Sequence, residues 1–376
     1  MARHVTHGVT RPPASALVAL ARSSGLALAM GIVIVAVLAA VLAASGFDVA
    51  EALRALVRGA VGSSYAIFSA TLVRATPLIL TGLAVALAFR GGILNIGAEG
   101  QLLAGAAAAT ALALPTGTSL GIGGVALGLA GAAVAGAAWA AVPAWLHRRF
   151  GVLEVITTIM MNFIALYGVG YLVRGPLQEP SRVYPQSASL PLEARLPAIL
   201  PGTRLHAGFL LALAAAAAAW YVVRFTAAGF RLRVVGANPA AAASAGRVDV
   251  ARVRTRAFLL SGAIAGLAGG VELFGVTYAL YENLSPGYGY TAIAVALLAG
   301  LQPLLVIGSG ILLGALEAGA AAMQREAGVP LVVVSVVEAL IILAIVGAQA
   351  LFARRQAVRV PAAAAVRADG RTDVGA

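Results

Sequence analysis

The chain is 376 residues long, 61% of them hydrophobic and 11% charged, with a mean hydropathy of +0.95 and a formal net charge of +12. A soluble domain rarely has that balance, and the absence of cysteine excludes disulfides, thiolate metal sites and cysteine nucleophiles. Every basic residue is arginine and nearly all lie outside the apolar runs, so no basic stripe of the kind that binds nucleic acid is formed and no nucleic-acid partner is expected.

Apolar runs near the roughly 20 residues that cross a bilayer recur at 26–44, 66–89, 96–114, 120–146, 155–173, 207–223, 257–280, 290–301, 304–323 and 331–352. The expected fold class is therefore an all-α integral membrane protein of about ten transmembrane helices, the eighth short. The domain expectation is an N-terminal tail over 1–24, a transmembrane domain over 25–352 and a C-terminal tail over 353–376. The first run follows Arg22 and ends in Ala43 and Ala44, which resembles a signal peptide. Its length exceeds the roughly 7 to 15 residues of a signal core, so a retained helix is expected.

Between the first two runs, Val49, Leu53, Leu56 and Val57 have helical spacing, which predicts an interfacial helix. The second run is expected to be interrupted at Pro77 and to end at Gly91 and Gly92. The stretch GGILNIGAEGQLLAG, residues 91–105, then sets Asn95, Glu99 and Gln101 among glycines between two apolar runs. Polar side chains at membrane depth are costly and mark a pathway or a binding site. These three, with Asn162 in the fifth run and Glu317 in the ninth, are the candidate pathway residues; Glu272, Gln324 and Glu338 are further polar positions in or beside the runs. The bland alternative for each is interhelical hydrogen bonding, worth roughly 0.6 kcal/mol on average.

Pairs such as Gly262 and Gly266 have the spacing that lets transmembrane helices approach closely. The segment from Arg174 to His206 carries six prolines, too many for a continuous helix, and reads as an external loop that packs on the protein or meets a partner. Pro286, Gly287 and Gly289 precede the short eighth run and Pro303 separates it from the ninth. Interrupted segments of this kind in both halves of a chain, broken or re-entrant, point to a central substrate site in transporters.

Arginine distribution sets the orientation. Arg3, Arg11 and Arg22 before the first run, Arg148 and Arg149 after the fourth, the loop from Arg224 to Arg256, and Arg354, Arg355 and Arg359 after the tenth all fall on one side of a ten-span chain. An excess of positive charge marks cytoplasmic loops, so both termini are expected in the cytoplasm of a multi-pass membrane protein. Enzyme chemistry finds little support: there is no HExxH pair, no GxSxG elbow and no P-loop, so an ATP site would have to come from another subunit. No cofactor or metal is expected.

NIGAEGQ at 95–101, EVITTIMMNFIA at 154–165, GFRLRVVGANPAAAASAGRVDV at 229–250, SGAIAGLAGG at 261–270 and GVPLVVVSVVEALIIL at 328–343 resemble, in order, the permease subunits of bacterial ABC importers for nucleosides and simple sugars, within the branched-chain amino acid and ribose permease superfamily. The resemblance covers roughly residues 60–350. It implies a transport subunit of the bacterial cell membrane, with no enzymatic activity of its own. The implied partners are a cytoplasmic ABC ATPase, a second similar permease chain and an extracytoplasmic substrate-binding lipoprotein. It also implies that Arg231, Arg233, Gly236, Asn238, Ala241, Ala242 and Gly246 belong to a loop that couples transport to the ATPase through a short helix, and Asn238-Pro239 supplies a plausible start for it. Nucleosides are the first expectation for cargo, with ribose-type sugars next and branched-chain amino acids after them. An ion-coupled secondary transporter using Glu99, Glu317 or Glu338 is the reading from outside the class.

Overall fold

A computed structural model describes residues 38–244 and 248–330 together with positions 36, 333, 335, 336, 339, 343 and 347. The chain divides into two compact units, residues 53–328 and the two ends, 1–52 with 329–376. In the described part of the ends, residues 38–44 are helical and Asp48 accepts a 3.0 Å bond from the Glu51 amide.

Among the described residues the fold is helical throughout, with no strand beyond two isolated bridges. In chain order the helices are α1 (Val49–Val61), α2 (Leu72–Arg90), α3 (Ala98–Leu120), α4 (Ile122–Phe150), α5 (Glu154–Arg174), α6 (Gly208–Phe225), α7 (Ala227–Ala237), α8 (Pro239–Ser244), α9 (Val250–Glu272), α10 (Tyr288–Leu298) and α11 (Pro303–Ala327). Among the described residues, six helices are long and apolar enough to cross a membrane: Ala66–Arg90, Ile122–Phe150, Glu154–Arg174, Gly208–Phe225, Val250–Thr277 and Pro303–Ala327. They make the chain a multi-pass membrane protein. Of the other expected spans, the third is the 23-residue α3 and the eighth the 11-residue α10. Most of the first and the tenth, with Glu338, lie outside the described residues.

The expected break at Pro77 does not occur. Helix α2 runs through it, preceded by a π-helical turn over Ala66–Thr71. Pro77 removes one backbone donor, while Thr76 and Thr81 donate their hydroxyls to Leu72 O (2.9 Å) and Pro77 O (2.7 Å). Burial of α2 on nearly every side keeps the helix continuous where isolated propensity would break it. The break at Gly91 and Gly92 does occur, and residues 91–97 are non-helical.

Helix α9 crosses α4 where Gly266 meets Gly136, so close that a Cβ at either would overlap the other's backbone. This is the close approach that the glycine spacing predicts. The expected amphipathic helix is α1, which lays Gly59 on Gly319 and Ala322 of α11, pairs Arg58 with Glu326 at 2.9 Å and accepts a 2.6 Å bond from the Thr71 hydroxyl at Ala60 O.

The proline-rich segment is a strap. A second π-helical turn, Leu273–Thr277, ends α9, and Tyr278 follows with φ +57°, so the carbonyls beyond it have no helical partner. The strap supplies partners: Leu196 N donates to Phe274 O (2.9 Å), Leu190 N to Tyr278 O (2.7 Å) and Ser187 N to Leu280 O (2.8 Å). Arg195 stacks on Tyr278 at 4.1 Å. The packing half of the loop expectation therefore holds.

Candidate functional site

Residues 91–97 leave α2 as irregular backbone that is buried at Gly91, Ile93, Asn95 and Gly97, where each unpaired peptide group costs free energy. Asn95 resolves this. Fully buried, it donates through Nδ2 to Gln101 Oε1 (2.9 Å) and Ser261 Oγ (2.8 Å), and its Oδ1 accepts from Gly97 N (2.9 Å) and Gln101 Nε2 (3.1 Å). Ser261 in turn donates to Ala84 O of α2 at 2.7 Å. One amide pair thus ties the end of α2, the start of α3 and the middle of α9 together.

Asn162 does the same from α5. Gly100 N donates to its Oδ1 (2.8 Å), while its Nδ2 donates to Ile96 O (2.9 Å) and the Tyr290 hydroxyl (3.3 Å). Glu99 completes the group. Only 7% exposed, it accepts from Gly289 N through Oε2 at 2.7 Å and shares a side-chain hydrogen bond with Ser285. A Cβ at Gly289 would overlap the Glu99 backbone, so the N-termini of α3 and α10 abut. Two helix N-termini bring two positive partial charges to one point, and the carboxylate of Glu99 is the counter-charge that such a junction favours. Glu317, half-buried on α11, lies within electrostatic reach of Tyr288, the residue before Gly289. Four of the five predicted pathway residues therefore meet in one hydrogen-bonded core, and the fifth bears on its edge.

Two groups escaped sequence reasoning or were ranked low by it. Glu272, 3% exposed at the end of α9, lies within electrostatic reach of Arg74, Arg204, Tyr281 and Tyr288, and its Oε2 has no hydrogen-bond partner. His206 reads in the sequence as a loop residue. In the fold it is 2% exposed, packed against Gly208 and Gly275, with neither ring nitrogen bonded. Burial, and then the charge of Arg204, lower its pKa to about 4. Only the glycine two residues on, and another about seventy on, mark the place in the sequence.

At the opposite, arginine-rich end, α8 starts as the sequence suggests: Asn238 Oδ1 accepts from Ala241 N at 3.0 Å and Pro239 opens the helix. Asn238 and Ala241 are exposed, Arg231 is exposed on α7 and Arg233 half-buried. Ala242 is buried, so the outward face of α8 belongs to Ala240, Ala241 and Ala243. Gly246 lies outside the described residues. Gly236 rests directly on Arg90 O at the end of α2. Beyond α8, Arg254 donates to Gly92 O (2.9 Å) and to Glu154 Oε1 (3.2 Å), and His147 Nε2 lies 3.5 Å from the same carboxylate. The segment from α7 to α9 is thus fastened to the α2 end of the 91–97 break.

No group of three or more histidine, cysteine or acidic side chains that would hold a metal occurs among the described residues. What the arrangement offers is a braced, broken-helix core in a helical bundle, joined at one end to the segment that carries α8.

Comparison with known proteins agrees. Residues 67–346 match the family described as branched-chain amino acid transport system, permease component. The chain is 41% identical over 321 residues to the guanosine ABC transporter permease protein of Bacillus subtilis, covering 83% of this chain and 90% of that one. It is 40% identical over 285 residues to a glucose ABC transporter permease protein of Haloferax volcanii (72% and 74% covered), and 31% identical over 293 residues to a nucleoside ABC transporter permease protein of Lactococcus lactis (75% and 79% covered). No solved structure matches the chain. With a matched region that takes in α2 to α11 and the whole braced core, the chain belongs to this family of permease components, transport subunits with no enzymatic role.

Proposed function

We propose that the chain is the permease subunit of an ATP-driven importer of nucleosides. The observation that carries the cargo assignment is the 41% identity that spans 90% of a guanosine permease, with a further nucleoside permease at 31%. A simple sugar is the second reading, favoured by the 40% identity to a glucose permease, although that match covers 74% of its length. Three partners follow from membership: a cytoplasmic ABC ATPase that docks on α8, a second permease chain, and an extracytoplasmic substrate-binding lipoprotein. About ten spans, tails over 1–24 and 353–376 on the cytoplasmic side and re-entrant α10 complete the topology.

Asn95, Glu99, Gln101 and Asn162 act as the brace of the path wall, and Glu317 flanks it. Their mutual saturation supports bracing over direct cargo contact, because a donor already bonded inside the protein gains little from a passing ligand. Movement of α8 passes through Gly236 to the end of α2 and through Arg254 to Gly92, both at the α2 end of the break.

The test is uptake of labelled nucleosides and sugars by vesicles that hold the complete complex. Nucleoside uptake that stops when the ATPase is omitted is the expected result; glucose or ribose uptake without nucleoside uptake would replace the cargo, and uptake without the ATPase would point to ion coupling. Orientation is tested in the cysteine-free chain by Ala243→Cys and Val183→Cys, both at exposed positions. The first should react with impermeant reagent from the cytoplasmic side alone, the second from outside alone.

A further inference from the structure

A cavity of about 490 Å³ opens at the Arg174 end of α5, lined by Tyr167, Gly170, Tyr171, Arg174, Glu282 and Asn283. That volume lies within the roughly 300 to 1,000 Å³ of small-molecule sites. Its composition differs from that of a lipid-facing groove. Tyr167 and Tyr171 stand one helical turn apart on α5, each 73% exposed, so ring surface is open toward the cavity they line. Between them is Gly170, and the Glu282 carboxylate lies against it: a Cβ added there would come within 2.8 Å of Glu282 Oε1. Arg174 fixes the same carboxylate, with Nη2 3.0 Å from each oxygen. The floor of the cavity is the loop that leads into α10, whose start is bonded to Glu99.

We propose that this cavity is the receiving site for a nucleoside entering the permease, an inference that rests on the reading of the chain as a nucleoside permease. A nucleoside presents a planar ring and a sugar with hydroxyl donors. The ring stacks on Tyr167 or Tyr171, the mode by which aromatic side chains hold bases without regard to sequence. The ribose hydroxyls donate to Glu282, which the half-exposed ion pair with Arg174 holds in place yet leaves open to a further donor. The Asn283 amide is the group nearest the ring edge in kind, able both to donate and to accept. A free sugar lacks the ring, so the tyrosine pair selects against it.

The experiment uses the complete complex in proteoliposomes, with equilibrium binding of tritiated guanosine to the permease–ATPase complex measured beside uptake. Tyr167→Ala with Tyr171→Ala should weaken guanosine binding by about tenfold or more and slow uptake in parallel, whereas the Tyr→Phe pair retains both. Gly170→Ala displaces the carboxylate and should weaken binding, while Gly168→Ala, with open space at its Cβ, should not. Equal yields of purified, monodisperse complex exclude a folding defect as the cause. An unmodified complex that imports guanosine but shows no binding, or whose tyrosine and Gly170 variants match it, overturns the cavity assignment and leaves the transport reading standing. An unmodified complex that imports glucose and no nucleoside overturns the cargo reading, and the receiving site with it.

Discussion

Where α2 ends at Gly91 and Gly92, peptide groups of the broken helix are bonded by the side chains of Asn95, Asn162 and Arg254, and Gln101 and Ser261 hold Asn95 in place. Where α9 ends at Thr277, main-chain amides of the strap at Ser187, Leu190 and Leu196 take on the same task. A main-chain ladder comes apart only if the strap lifts as a unit, whereas side-chain bonds exchange singly as rotamers change. The first break is also the one fastened to the loop that bears α8, through Gly236 and Arg254. Under the coupling role proposed for α8, that difference predicts movement at the amide-latched end and rigidity at the strapped end.

The largest expected effect comes from removing the centre of the latch. Asn95→Leu leaves the Gln101 amide and Gly97 N buried without partners, at about 1 to 3 kcal/mol for each. The thermal midpoint of the purified permease should fall accordingly and uptake should be lost. A variant with an unchanged midpoint would show that the break is held by packing and not by its amides.

His206 probes the strapped end. Its folded pKa of about 4 lies below the ordinary 6.5, so the neutral form is preferred in the fold. The folded state then binds fewer protons than the unfolded one between those values. Stability is present in full above the unfolded pKa and is lost as pH falls toward the folded one, to a limit of about 3 kcal/mol. Melting in detergent at steps from about pH 7 down to pH 4 should show that decline, and His206→Gln should flatten it. A variant as acid-sensitive as the unmodified chain would move the effect to other groups.

Arginine at the two ends gives the sharpest pairing and the smallest effects. Arg254 and Glu154 have side chains 28% and 11% exposed, so Arg254→Met leaves a mostly buried carboxylate with His147 alone beside it, at about 2 kcal/mol. Arg174 and Glu282, at 64% and 34%, form a surface pair whose loss through Arg174→Met costs about 0.5 kcal/mol. ATP-hydrolysis coupling should suffer in the first variant, whereas the second should weaken guanosine binding with little change in melting. Equal melting shifts would erase the contrast between the ends.

The residues that were legible beforehand are those whose local chemistry leaves no choice. Gly91 and Gly92 end α2, Asn238 and Pro239 open α8, and Pro303 opens α11, each through backbone freedom or a missing amide that acts within a few residues. Pro77 shows the limit of that logic: its cost is local, but the burial of α2 that outweighs it comes from helices far away in the chain.

Composition and period alone determined the membrane class, the long apolar helices and the break at Gly91 and Gly92, because those depend on hydrophobicity and on neighbours along the chain. The sequence also singled out Asn95, Glu99 and Gln101 as polar groups in an apolar setting. Only the tertiary structure decided what they do, since Ser261 lies 166 residues from Asn95 and Gly289 lies 190 from Glu99. The same holds for His206, whose surroundings at Gly275 and Val271 no window around it contains. A polar side chain announces in sequence that it needs a partner; which partner it gains is set by the packing of apolar helices that bring distant segments to the same depth.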